Sequence, residues 1–480
     1  MNNKTVLSNL IWRFAERIGA QLVGFIVSIV LARLLEPDAY GTIALITVFT
    51  TILQVFVDSG LGNALIQKKD ADNIDFSTVF FTNIVFCCLL YTMLFVLAPY
   101  IASFYGDSNI TAYTRGLGLT LVISGVKNVQ QAYVSRHMMF RRFFFSTLGG
   151  TIAAGCVGVI MAYTGFGVWA LVAQQLINLS IDTLILWFTV KWRPDFVFSF
   201  ERLKSLFNFG WKLLASNLIS NVYENLRQLL IGKIYTSADL AQFNRGKQFP
   251  NLIVQNVNSS IDSVLLPTMA KVQDSKERVK VMTRRSMKIS TYVMAPLMMG
   301  LSATGTSLVG LILTDKWLPS VFFMRIFCIT FIFYPLHTAN LNALKAVGRS
   351  DLYLKLEIEK KIVGLIALFA TVFISVEAMA WSLLLTSFAS QIINAAPNKK
   401  ILNYGYSEQI IDILPPILLS LIMALMIYPI QYLGLSYLLT LLIQVPAGAI
   451  IYIIGSKLLH LDSFEYLLGI VKPYLKRLKK

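Results

Sequence analysis

The sequence predicts an all-α polytopic membrane protein, with about fourteen transmembrane helices in two homologous six-helix bundles (parallel repeats) plus two C-terminal helices. Three observations predict it. Of 480 residues, 56% are hydrophobic and only 14% are charged, with a mean hydropathy of +0.65, whereas soluble chains carry about 25% charged residues. Apolar stretches of the ~20 residues that a bilayer crossing needs recur along the whole chain. They are continuous and do not alternate every second residue, which argues against a β-barrel. Finally, "NLIWR" at 9–13 returns as "NFGWK" at 208–212, so the chain begins the same way twice.

The first seven spans are read at 14–34, 40–65, 77–103, 114–135, 145–164, 168–190 and 211–234. The second seven follow at 246–269, 288–313, 321–344, 355–375, 378–396, 411–430 and 435–456. Charge tests this order. With the N-terminus inside, cytoplasmic segments hold 33 of the 42 Lys and Arg residues and outward segments hold seven. Lys127 and Arg227 remain within spans. Basic residues concentrate in cytoplasmic loops, so both termini are expected there.

The repeat sets the domain plan. "LARLLEPDAYGTIA" (31–44) lies over "IGKIYTSADLAQFN" (231–244) without a gap, pairing Arg33 with Lys233. This predicts one bundle over 1–190, a linker over 191–210, a second bundle over 211–396, and two additional helices with a basic tail over 397–480. Six spans is an even number, so both halves enter from the same side and are parallel repeats. The linker "RPDFVFSFERLKSLFNFG" is too charged to span and reads as an amphipathic interfacial segment. The tail "FEYLLGIVKPYLKRLKK" reads similarly, its bases facing membrane lipid head groups or solvent.

Composition excludes other classes. The net charge of +17 is explained by basic cytoplasmic loops, so no nucleic acid partner is expected. Cys87, Cys88, Cys156 and Cys328 all fall in apolar runs with no metal or disulfide spacing. No cofactor and no metal are expected. The first apolar run carries Glu16 and Arg17 and lacks a small-residue cleavage site, so a retained helix is expected instead of a cleaved signal.

Polar groups at membrane depth are expensive and tend to be functional. Span 4 carries Lys127, Asn128 and Gln131 at helical spacing. Span 7 carries Asn217, Asn221, Glu224, Asn225 and Gln228, with Arg227 beside them. Span 8 adds Gln255, Ser259 and Asp262. Hydrocarbon offers such amides no partners, so these faces are expected to look into the bundle or a hydrated cavity. Asp58 in "VDSGLG" and Asp262 have two readings, a helix-break cap or a coupling-ion site. His337, after Pro335, reads as a bonded structural group.

At this point the chain resembles a family, the polysaccharide-repeat-unit (lipid-linked oligosaccharide) flippases of the multidrug/oligosaccharidyl-lipid/polysaccharide exporter superfamily. The likeness rests on the repeated N-x-x-W motif, "LARLLEPDAYG" (31–41) and "DSGLGNALIQ" (58–67), echoed by "LAQFNRG" (240–246) and "VLLPTMAKVQ" (264–273). It implies a multi-pass protein of the bacterial inner membrane. It also implies a substrate, an undecaprenyl-pyrophosphate-linked oligosaccharide moved to the periplasmic leaflet, with a polysaccharide polymerase acting downstream.

Given such a substrate, Arg227, Lys127, Arg17, Arg245 and Lys247 are the candidates to hold the pyrophosphate. Arg offers a two-pronged fork to phosphate oxygens, and Lys a point charge. Each has a plainer reading: Arg227 as an i,i+3 partner of Glu224, Arg17 and Lys127 snorkelling to the interface, Arg245 and Lys247 as loop charges. The alternative function is a cation-coupled multidrug exporter of the same superfamily, which would favour an acidic cavity. A membrane enzyme is disfavoured, because outward loops are about a dozen residues or fewer and no nucleophile or carboxylate-pair motif appears.

Overall fold

The computed structural model describes residues 3–58, 61–272 and 274–478. Within these, the side chains at 3–11, 13–18, 209, 212, 213, 260, 262, 264, 470, 471 and 473–478 lie outside the description. Arg17 and Asp262 are therefore outside the described side chains, as are Lys476, Arg477, Lys479 and Lys480 of the tail. Over the described residues every regular element is a helix, which matches the predicted class.

The chain divides into two compact units, Met1–Ala241 and Gln242–Lys480. The first holds α1 (Asn3–Leu34), α2 (Pro37–Asp58), α3 (Leu61–Gln67), α4 (Asn73–Tyr105), α5 (Asn109–Arg136), α6 (Phe140–Tyr163), α7 (Val168–Thr189) and α8 (Phe200–Ile234). The next helix, α9 (Ser237–Ala270), begins in the first unit and continues in the second. The second unit goes on with α10 (Lys276–Leu313), α11 (Ser320–Phe331), α12 (Tyr334–Ala346), α13 (Ser350–Thr371), α14 (Val376–Leu402), α15 (Tyr406–Ile427), α16 (Tyr437–Leu458) and α17 (Asp462–Leu478).

The fourteen expected spans follow these helices to within a few residues. Two are divided. The span 40–65 breaks after Asp58, where α3 begins at Leu61, and 321–344 breaks between α11 and α12, just before Pro335. Proline lacks the N–H that would continue the ladder, so a break there is expected. Nine helices or helix pairs among the described residues are long and apolar enough to cross a membrane. α5, α8, α9 and α13 fall short because polar residues interrupt them.

Small residues set the packing. A Cβ on Gly125 of α5 would lie 2.8 Å from Cys87 Sγ of α4, and one on Gly41 of α2 would run into the backbone of Ser237. Close approach of this kind is how helices associate where no hydrophobic effect separates them from lipid. α8 packs on α2, α3 and α4 within the first unit. The linker before it is partly helical: α8 begins at Phe200, where Ser199 accepts a hydrogen bond from the Arg202 N–H. Its extended part is strapped to α4, the Asp195 and Ser199 N–H groups donating to the buried Ser77 and Thr78 hydroxyls at 3.0 and 3.1 Å.

One polar cluster fastens α3, α4 and α8. Asp72 and Asp75 form a capping box at the start of α4. Lys68 reaches the fully buried Asp75 at 2.8 Å, and Arg202 meets Asp72 at 2.5 Å. The Arg202 hydrogen bond holds the Asp72 carboxyl down at about 2, below its ordinary 3.8. A depressed carboxyl contributes stability that is complete above its unfolded value and is lost as pH falls through the folded one. An Asp72→Asn variant is therefore expected to unfold more easily than the native protein at pH 6, and this difference should vanish towards pH 2. Thermal unfolding at both pH values checks this.

In the second unit, α11, α12, α15 and α16 pack around the 38-residue α10. Tyr452 on α16 donates to the Tyr292 carbonyl at 2.8 Å, and Tyr292 donates to Ser456 at 3.0 Å. Fully buried amides join α12, α14 and α15: Asn340 and Gln409 exchange hydrogen bonds at 2.9 and 3.0 Å, and Asn398 donates to Asn340 at 2.6 Å. The tail is helical as α17, its start held to α10 by Lys288–Asp462 and by Arg285 over the Tyr466 ring at 3.8 Å.

Candidate functional site

Four helices of the first unit turn polar stripes toward one cavity of about 550 Å³. On α2 the stripe is Thr47, Thr51, Gln54 and Asp58, spaced at helical intervals so that one face carries all four. On α5 it is Thr120, Ser124 and Lys127, and on α7 it is Gln175, Asn178 and Asp182. Asn217 and Asn221 of α8 complete the lining, with Thr147 from α6. The Thr47 hydroxyl donates to the Ile43 carbonyl at 2.7 Å, which satisfies its hydrogen within the helix and leaves its oxygen lone pairs as acceptors.

Charge in this cavity is confined to three groups. Lys127 Nζ lies 2.5 Å from Asp182, with both side chains close to nine-tenths buried. Asp58 accepts from Gln54 at 3.0 Å and from Asn128 at 3.2 Å, and the Asn128 oxygen accepts from Asn83 at 3.5 Å. Asp58 also faces a smaller space of about 320 Å³, lined by Asn63, Asn128, Gln131 and Ser135. A Cβ on Gly62 would come within 2.5 Å of the Asn128 oxygen there, so α3 and α5 meet at glycine.

The remaining candidates are distributed as follows. On α8, Asn221 donates to the Asn217 carbonyl at 3.0 Å, Asn225 to the Asn221 carbonyl at 2.9 Å and Gln228 to Asn225 at 3.3 Å. Arg227 is half-buried and lies about 100° around the helix from Gln228. Glu224 is exposed. Gln255 is exposed on α9, and Ser259 donates to the Asn256 carbonyl. Arg245 is buried, its guanidinium 4.7 Å from the Trp317 ring and bonded to Gln248 at 2.6 Å. That is a packed cation–π site.

Lys247 lines a separate cavity of about 490 Å³ in the second unit. Hydroxyls of Thr330, Thr386 and Ser390 and the ring of Tyr334 share that lining with His337 and Lys360. His337 Nδ1 lies 3.0 Å from the Asn394 amide, the bonded arrangement expected for it. Lys360 pairs with Glu357 at 2.5 Å.

Sequence reasoning found the α5 and α8 stripes and missed those of α2 and α7. Their signal was present as Thr47, Thr51, Gln54 and Asp58 in helical register. Threonine masks it, because its apolar methyl and self-satisfied hydroxyl suit a hydrophobic helix.

An all-helical, multi-pass chain with polar stripes around an internal cavity defines a membrane transporter fold, and solved structures agree. The lipid II flippase MurJ in its inward closed conformation matches with a TM-score of 0.75 at 13% identity, covering 94% of this chain and 99% of that one. An inward-facing multidrug resistance MATE family transporter of the MOP superfamily matches at 0.61 and 12%, covering 82% and 98%. The family model described as polysaccharide biosynthesis protein matches residues 30–322, more than half of the chain, and the chain belongs to that family. Among curated proteins, the chain is similar to the teichuronic acid biosynthesis protein TuaB of Bacillus subtilis (strain 168), 25% identical over 411 residues, 84% of this chain and 85% of that protein. It is also similar to the lipopolysaccharide biosynthesis protein WzxC of Escherichia coli (strain K12), 21% identical over 406 residues, 83% and 82%.

Proposed function

We propose that the chain is a flippase that moves an undecaprenyl-pyrophosphate-linked oligosaccharide repeat unit from the cytoplasmic to the periplasmic leaflet of the bacterial inner membrane. Both termini are cytoplasmic in this reading, and the repeated halves alternate access by rocking. The observation that carries it is the cavity of the first unit. Hydroxyls and amides from five helices face one space, the chemistry that exchanges hydrogen bonds with sugar hydroxyls. Lys127 supplies positive charge there for a phosphate, and Arg227 lies further along α8. The names of TuaB and WzxC, and the MurJ-like fold, support a role in supplying repeat units to a polysaccharide polymerase.

One observation favours the second reading, a cation-coupled multidrug exporter. Carboxylates outnumber bases in the cavity, Asp58 and Asp182 against Lys127. Deleting the gene separates the two. A flippase deletion should cause lipid-linked oligosaccharide to accumulate, resistant to periplasmic glycosidase, and restoring the gene should clear it. Unchanged lipid-linked glycan with raised sensitivity to organic cations would instead establish the exporter.

A further inference from the structure

We infer that Asp182 is an internal competitor of the anionic cargo for Lys127, so that binding of the head group is coupled to proton uptake by Asp182. The inference rests on the head-group reading above and deepens it.

The geometry leaves Lys127 already occupied. Its ammonium lies 2.5 Å from Asp182, and both groups line the cavity. The second carboxylate oxygen of Asp182, Oδ1, is buried and has no hydrogen-bond partner among the described residues. Asp182 is therefore held by one strong contact only. Its place is shaped by Gly150 of α6, where a Cβ would stand 3.2 Å from the Asp182 Cβ. Every charged group among those lining the cavity takes part in the balance: Asp58 from α2, Lys127 from α5 and Asp182 from α7, with Thr147 of α6 and the two asparagines of α8 neutral. With both carboxylates ionised, the cavity carries a net charge of −1.

A phosphate anion entering this space meets repulsion unless the balance changes. It must take Lys127 from Asp182. The displaced carboxylate then stands in a low-dielectric site without its counter-ion, where the neutral acid is favoured. Asp182 takes one proton from water, and no other bond is made or broken. When that proton leaves, Asp182 reclaims Lys127 and the anion loses its hold. The same residue thus limits capture and drives release. By linkage, proton uptake favours anion binding as much as the anion favours proton uptake.

The test uses the full-length protein in nanodiscs with inorganic pyrophosphate as the probe, titrated calorimetrically at pH 6 and pH 8. Asp182→Asn is expected to bind at least about fivefold tighter than the native protein at pH 8, the low end of ordinary coupling between sites. Its affinity should also change less between the two pH values. Pyrophosphate titrates in this range too, but equally for both proteins, so their difference reports the protein. The native protein gives an independent readout: binding in buffers of different ionisation enthalpy should show proton uptake beyond that of pyrophosphate itself. Equal affinity and equal pH dependence in the two proteins, or no excess proton uptake, overturns the inference. Lys127→Met separates the underlying reading. If it binds pyrophosphate as well as the native protein does, the head-group site at Lys127 is wrong and the inference falls with it. If it loses binding while Asp182→Asn changes nothing, only the inference falls.

Discussion

A Lys127→Met variant is expected to reach the membrane yet export surface polysaccharide at least tenfold more slowly than the native protein. Lys127 is the one base among the residues lining the first-unit cavity, and a hydrogen bond to a charged group contributes about 1.5–3 kcal/mol, more than a factor of ten. Lys127→Arg keeps the charge and should keep part of the activity. Because Lys127 also neutralises Asp182, the single variant has two possible causes of failure, and a second variant distinguishes them. If Lys127→Met combined with Asp182→Asn exports normally, Lys127 serves Asp182 alone and the cargo is held elsewhere. Arg227→Ala belongs to the same series, with loss of export expected and partial recovery in Arg227→Lys, since the fork geometry is absent from lysine. Rescue of an Arg227→Ala folding defect by Glu224→Ala would instead mark a structural pair.

These expectations mix what the sequence states openly with what it hides. The helices were legible because twenty-residue apolar runs have no soluble alternative, and the break before Pro335 follows from a missing N–H. The amides of α5 and α8 stood out because hydrocarbon cannot satisfy them, and both stripes do meet at the cavity. The pairing of Lys127 with Asp182 had no local signal, since 55 positions separate them along the chain and only the packing of α5 against α7 brings them together. Arg245 misled in the opposite direction. A base near a helix end resembles a loop charge or a phosphate ligand, but Trp317 lies far along the chain and its ring is what meets the guanidinium. The buried amides Asn340, Asn398 and Gln409 lie singly on three helices, where each looks incidental until its partners are seen.

The second large effect concerns stability and lies in the second unit. Asp412→Ala is expected to remove about 3–5 kcal/mol, the usual cost of leaving a buried charge network without one partner, and most of the protein should fail to accumulate in monodisperse form. The Asp412 side chain is 3% exposed. It accepts from Arg284 through both oxygens at 2.7 Å and from the buried Tyr404 hydroxyl at 2.8 Å, with Lys288 at 3.5 Å. These contacts tie α15 to α10 and to the turn between α14 and α15, one helical turn from Gln409 and its amide network. Removing the carboxylate leaves the Tyr404 hydroxyl buried and unpaired, while Arg284, about half exposed, can turn to water. Asp412→Asn should therefore be milder, because an amide oxygen still accepts from Tyr404. Asp462→Ala offers the contrast. It also removes a partner of Lys288, but Asp462 is 82% exposed, and exposed pairs contribute about 0–1 kcal/mol. Thermal midpoints of the three purified variants test this order. Equal midpoints for Asp412→Ala and Asp462→Ala would show that the buried cluster does not hold α15 to α10.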